Sequence, residues 1–252
     1  MQRYFEINGN GHNIRCKIIC RELRSVRTVV VFGHGFGGHK DNNAAARFGE
    51  KLVAKHKQAA LLTFDWPCHG DDVKKKLYLE DCNIYLDMVV GYVKESMGVE
   101  AIYAYGTSFG GYLMLKYLTE RGNPFRKIAL RCPALNIHDA LMNNIMTQEN
   151  REKLPKGKDI MVGFDRKVPI GLDFMKQLED NDIRSRDFLD FAEDILMIHG
   201  TSDEIIPFRE AQAFSEDKLI DLIPAEGADH RFRDLTKMDL STKQILEFYA
   251  IE

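Results

Sequence analysis

Gly106-Thr107-Ser108-Phe109-Gly110 follows the apolar run Ala101-Ile102-Tyr103-Ala104-Tyr105 and precedes Gly111-Tyr112-Leu113-Met114-Leu115-Lys116-Tyr117-Leu118. That order predicts a strand, a sharp turn bearing serine, and a helix. Serine on such a turn takes a strained backbone that leaves its hydroxyl exposed, and a side chain two residues to either side would collide with the turn. Gly106 and Gly110 remove the collision. Ser108 is therefore a candidate nucleophile. A glycine-rich turn of any parallel α/β protein would account for the glycines alone, so the reading needs partners for the serine elsewhere in the chain.

A nucleophilic serine needs a base to take its proton, and the base needs a carboxylate to fix its tautomer and stabilise the imidazolium that forms. The run Asp194-Ile195-Leu196-Met197-Ile198-His199-Gly200 predicts a buried strand, and Thr201-Ser202-Asp203-Glu204 a polar turn after it, which puts Asp203 on a loop past a strand end. Lys218-Leu219-Ile220-Asp221-Leu222-Ile223-Pro224 predicts another strand, and the following loop carries His230. Groups that leave the same edge of a parallel sheet converge despite their separation in sequence. Ser108, His230 as base and Asp203 as orienting acid form the expected catalytic set. Glu204 and Asp229 compete for the acid role, but Asp229 adjoins His230 and its side chain would point elsewhere in an extended loop. His199 ends a strand and is not placed to be the base, and Cys68 beside His69 lacks the strand-turn-helix setting that activates a thiol.

Working outward, the chain opens with a predicted hairpin, Tyr4-Phe5-Glu6-Ile7 and Asn13-Ile14-Arg15-Cys16-Lys17-Ile18-Ile19-Cys20 about the turn Asn8-Gly9-Asn10-Gly11. Strands beginning at Thr28, Ala59, Ala101 and Lys127 then alternate with helices expected over 42–55, 79–96 and after the serine turn, and a last helix is expected over 239–249. Such alternation implies a mostly parallel sheet with helices on both faces. Between Pro133 and Asp194 the alternation lapses, and Met142, Met146, Met161, Phe164, Phe174 and Met175 lie scattered there. The chain reads as one α/β domain over 1–252 with a lid or cap inserted at about 135–190. Its Met and Phe residues either form an adaptable apolar roof or pack the insert onto the sheet.

Together these residues resemble the α/β-hydrolase superfamily over nearly the whole chain. The resemblance implies a mostly parallel, twisted sheet of about eight strands with the lid over the strand ends. The strand-like run Thr28-Val29-Val30-Val31-Phe32 empties into Gly33-His34-Gly35-Phe36-Gly37-Gly38. In the superfamily the residue after the His-Gly pair gives one backbone N–H to the oxyanion and the residue after the nucleophile gives the other. Phe36 and Phe109 are the residues implied. The Gly-rich segment matches neither a dinucleotide fingerprint nor a P-loop. Phe64-Asp65-Trp66-Pro67-Cys68-His69-Gly70 resembles the family's structural Asp-x-Pro-x-His-Gly turn, and His34 its loop-stabilising histidine. Compact length and the His-Gly-Phe loop are similar to intracellular bacterial esterases of the cinnamoyl or feruloyl type. A serine hydrolase acting on small carboxylic esters through an acyl-enzyme is the expectation. Small-amide peptidase activity and a non-catalytic ligand-binding shell are the alternatives.

Composition narrows the field. With 252 residues and 44% hydrophobic content the chain can bury one large core. A net charge of −3 offers no electrostatic footprint for nucleic acid or an acidic membrane. Five cysteines without Cys-x-x-Cys spacing argue against a disulfide framework or zinc site. No metal or organic cofactor is expected. Residues 1–9 lack the apolar segment of a secretory signal and no stretch approaches spanning length, so cytoplasmic residence is the expectation and a small ester the expected partner. The sequence carries no signal for oligomeric state.

Overall fold

The protein is described from a computed structural model. Asp165, which falls inside the expected insertion, and Glu252 lie outside the described residues. In chain order the elements are β1 (Gln2–Gly9), β2 (His12–Ile19), β3 (Thr28–Gly33), α1 (Asn43–Lys55), β4 (Ala59–Phe64), α2 (Leu79–Gly91), β5 (Ala101–Thr107), α3 (Phe109–Arg121) and β6 (Ile128–Arg131). After them come α4 (Ile137–Ala140), α5 (Gln148–Lys153), β7 (Ile160–Val162), β8 (Val168–Ile170), α6 (Leu172–Asp180), β9 (Ile195–Gly200), α7 (Phe208–Lys218), β10 (Asp221–Ala225) and α8 (Leu235–Tyr249).

Eight strands form one sheet in the order β1-β2-β4-β3-β5-β6-β9-β10. The β1–β2 and β2–β4 pairs are antiparallel, and every pair from β4 to β10 is parallel. Strands β4, β5 and β6 are buried along their whole length, as continuous apolar runs between two helical layers must be. On one face Phe48 and Leu52 of α1 and Ile245 and Tyr249 of α8 pack on Val30, Leu61 and Tyr103. On the other, Leu86 and Val89 of α2 and Leu113 of α3 pack on Val29, Val31, Leu62 and Ala104. The sheet order reverses at β3, so the carboxyl ends of β3 and β5 open a crevice.

Several expected boundaries shift: the opening strands extend to Gln2–Gly9 and His12–Ile19, which narrows the hairpin turn to Asn10-Gly11. Lys218 completes α7 and Leu219 closes that helix in the left-handed region, so β10 starts only at Asp221. The last helix begins at Leu235, earlier than expected, because the Asp234 carboxylate accepts from the N–H groups of Thr236 and Lys237 and starts it there. Helix α2 ends at Gly91 and continues as a wider turn through Ser96.

Between β6 and β9 the chain folds into α4, α5, the β7–β8 hairpin and α6. Met146, Phe174 and Met175 are buried in the core, whereas Met161 and Phe164 are about half exposed. Most of the apolar supply thus holds the segment onto the body. No helix among the described residues is long and apolar enough to cross a membrane.

Candidate active site

The turn after β5 has the geometry its sequence requires. Ser108 sits at φ 51°, ψ −117°, outside the regions a side-chain-bearing residue ordinarily occupies. A Cβ on Gly106 would lie 2.8 Å from the Cα of Gly111, and one on Gly110 would lie 2.1 Å from the Gly33 carbonyl oxygen. Any side chain at either position would push α3 away from β5 and β3. The flanking glycines therefore allow a close helix-strand approach, and that approach holds the serine in its strained turn.

Three loops at the carboxyl ends of β5, β9 and β10 bring Ser108, Asp203 and His230 together. His230 Nε2 is 2.9 Å from Ser108 Oγ, and His230 Nδ1 is 2.7 Å from Asp203 Oδ2. With the carboxylate as acceptor, Nδ1 carries the proton and Nε2 is left to accept from the serine hydroxyl. The Asp203 side chain is fully buried. Its Oδ1 accepts from the N–H groups of Ile205 and Ile206 at 2.9 and 2.8 Å. Burial by itself would raise this carboxyl. Hydrogen bonds from His199 and His230, the charge on His230 and the Ile206 N–H outweigh it and hold the group well below the usual carboxylate range. The competitors are occupied elsewhere: Asp229 pairs with Arg233 at 2.8 Å, and Glu204 accepts from the His230 backbone N–H at 3.3 Å.

Two further groups on Asp203 have no counterpart in the sequence reading. The fully buried His199 places Nε2 3.1 Å from Asp203 Oδ2 and 2.9 Å from the Ile206 carbonyl, so its single N–H is shared between these two acceptors. The Cys132 thiol lies within 4.8 Å of the Asp203 and His230 ligand atoms, and burial, then the nearby Asp203 charge, push its pKa up so that it stays protonated. His199 ends an apolar strand four residues before Asp203, a spacing that could have been read as a second contact to the acid. Cys132 carried no signal, since β6 meets β9 only through the sheet order.

The loop after β3 lies against the serine. A Cβ on Gly35 would stand 3.2 Å from the Ser108 Cβ. The Phe36 and Phe109 rings meet edge to face at 5.7 Å. Among the described residues the Phe36 N–H has no backbone acceptor, and Phe109, the first residue of α3, has no intrahelical one. His34 fixes the loop: its Nδ1 donates to the Gly35 carbonyl at 2.9 Å and its Nε2 accepts from the Trp66 N–H at 3.3 Å. Burial, then the adjacent His69, drives its pKa well down, which keeps the ring neutral as both contacts require. Lys40 ties the same loop to the turn after β4, donating from its backbone N–H and its ammonium to the buried Asp65 carboxylate at 2.7 and 3.1 Å.

Above the serine is a cavity of about 300 Å³, within the usual range for a small-molecule site. Gly35, Phe36, Ser108 and His230 form its floor. Ile145, Phe164 and Arg166 from the inserted segment, together with Arg131 and Arg231, line its walls. Of the scattered Met and Phe residues only Phe164 reaches this lining, so the apolar roof is confined to Phe164 and Ile145.

The fold has many relatives of distant sequence. Est1E from Butyrivibrio proteoclasticus, solved with ferulic acid bound, superposes with a TM-score of 0.74 at 20% identity, covering 98% of this chain and 100% of that one. Mouse alpha/beta hydrolase domain-containing protein 10 matches with a TM-score of 0.70 at 16% identity over 98% of each chain. XC6422 from Xanthomonas campestris, an α/β serine hydrolase without a lid, matches with a TM-score of 0.65 at 12% identity, covering 98% and 94%. No curated protein matches by sequence. The sequence model of the alpha/beta hydrolase fold matches residues 28–180, more than half of the chain and the stretch that holds the β3 loop and the serine turn, and the protein belongs to that family.

Proposed function

We propose that the protein is a serine hydrolase that cleaves carboxylic esters through an acyl-enzyme. The observation that carries the reading is the unbroken chain from Asp203 through His230 to Ser108, with separations of 2.7 and 2.9 Å. Ser108 Oγ attacks the ester carbonyl as His230 Nε2 takes its proton, and Asp203 stabilises the imidazolium. The Phe36 and Phe109 N–H groups face the negative charge that develops on the carbonyl oxygen, each contributing roughly 2.7–4 kcal/mol. His230 then returns the proton to the departing alcohol. Water, deprotonated by the same nitrogen, releases the acid and restores the serine. The segment between β6 and β9 serves as the lid, since Ile145 and Phe164 line the cavity from above. Likeness in fold to a structure holding ferulic acid makes cinnamoyl esters part of the first substrate panel, beside short-acyl and aryl esters.

A fluorophosphonate probe tests the reading. Intact mass and peptide mapping should place one adduct on Ser108 and none on Ser108→Ala, and the variant should lose ester turnover by about 10⁵- to 10⁶-fold with its fold intact. An unlabelled wild-type protein with an open site would identify a binding shell in place of an enzyme.

A further inference from the structure

Arg131 ends β6 beside the nucleophile: its carbonyl accepts from the Ser108 N–H at 3.1 Å, and in the parallel ladder it faces Thr107. The residue is only 6% exposed and lines the cavity above Ser108. An arginine is charged at any pH a protein survives. Burying that charge demands a paired anion or a full set of acceptors. Arg131 has neither among the described residues. No carboxylate lies within ion-pair distance of it, its Nε is buried without a hydrogen-bond partner, and one terminal nitrogen meets only the Met238 thioether, a weak acceptor. Its remaining contact is the face of the Phe232 ring, 5.2 Å away. Other buried cations of the molecule are compensated, as Lys40 is by Asp65 and Lys116 by Glu120. Arg166 and Arg231 also line this cavity.

We infer that Arg131 is a specificity residue for esters carrying a carboxylate a few bonds from the scissile carbonyl. The inference rests on the hydrolase reading for its reaction and on the unpaired guanidinium for its substrate class. A planar guanidinium matches a carboxylate in a two-point contact, and one guanidinium neutralises one charge, which favours a carboxylate over a phosphate dianion. Because Arg131 and Ser108 line the same cavity of about 300 Å³, the ester and its carboxylate must both fit within it, which limits the spacer between them.

The test compares esters that differ only in terminal charge: 4-nitrophenyl hexanoate with mono(4-nitrophenyl) adipate on the acyl side, and phenyl acetate with 3-carboxyphenyl acetate on the alcohol side. On one side kcat/KM should favour the anionic member. Arg131→Met should lower it for that ester by about 10- to 100-fold while neutral esters change by less than about 3-fold, and Arg131→Lys should restore part of the preference. If Arg131 merely braces Phe232 and the His230 loop, both members of a pair fall together in Arg131→Met, and the inference is overturned. Preference for the neutral ester on both sides overturns it equally. Calorimetric titration of Ser108→Ala with adipate and glutarate needs no turnover. Saturable binding abolished by Arg131→Met supports the inference even where the wild type leaves Ser108 unlabelled and hydrolyses no ester, an outcome that sinks the hydrolase reading alone; absence of Arg131-dependent binding together with absence of an anionic preference sinks the inference alone.

Discussion

At the scale of single residues the site is organised around one carboxylate. Asp203 takes two backbone N–H groups on Oδ1 and the rings of His199 and His230 on Oδ2, so it has no freedom to rotate and no reason to protonate near neutrality. Asp203→Asn keeps the shape but offers an amide N–H where Oδ2 accepted, which disfavours the His230 tautomer that can receive the serine proton. We expect ester turnover to fall by about 10³- to 10⁴-fold with little change in stability, read from steady-state kinetics beside a urea melt. His199 acts on the same atom from the far side. His199→Phe keeps a ring of similar size and removes one donor. It should lower kcat by about 10-fold and leave KM within about 2-fold, because Asp203 loses one of the contacts that fix it against His230. An unchanged kcat would assign His199 to packing alone.

Among elements, the β3 loop and the turn after β4 matter most, since they hold Phe36 against Ser108. Lys40 and Asp65 are 6% and 0% exposed and form the ion pair that locks these two segments. Lys40→Met strands the Asp65 carboxylate in the interior, with only the Lys40 and Asp71 N–H groups to satisfy it. We expect a loss of about 3–5 kcal/mol in urea denaturation, whereas removal of exposed pairs such as Lys153–Glu149 should change stability by less than about 1 kcal/mol. Much of this architecture was legible from the chain. Alternating apolar runs and helical stretches gave the parallel sheet, and the glycines about Ser108 gave the turn, because each is a local requirement of backbone geometry. The order serine, aspartate, histidine along strand-end loops gave the candidate site. What stayed hidden depends on which strand lies beside which. In sequence Arg131 is one polar residue in the strand that begins at Lys127, and only the pairing of β6 with β5 and β9 makes it a buried neighbour of Ser108 and Cys132 a neighbour of Asp203. The Lys40–Asp65 pair spans two loops whose proximity follows from β3 lying next to β4.

For the molecule as a whole, the buried histidines set how stability responds to acid. His69 has its pKa lowered to about 4 from the ordinary 6.5, chiefly by burial, and His34 is driven well below the ordinary value by burial and by His69 itself. In the unfolded chain both titrate near 6.5. Between those limits the unfolded state binds protons that the folded state refuses, so the stability these rings allow is complete above pH 6.5 and is lost as pH falls toward their folded values. Asp203 follows the other half of the rule: its folded pKa is depressed, so its contribution is full above the unfolded carboxylate value and is lost only at still lower pH. Acid should therefore act in two stages, a histidine stage from about pH 6.5 to 4 and a carboxylate stage below about pH 4. His69 alone should account for about 2 kcal/mol between pH 7 and pH 5. The check is urea denaturation of the wild type and His69→Gln at both pH values. The variant should start less stable, since it gives up the donor to the Pro67 carbonyl at 2.8 Å, yet lose about 2 kcal/mol less on acidification. Parallel losses in the two proteins would mean that His69 titrates normally in the folded state, and that the neutral imidazoles beneath the Phe36 loop do not govern its acid stability.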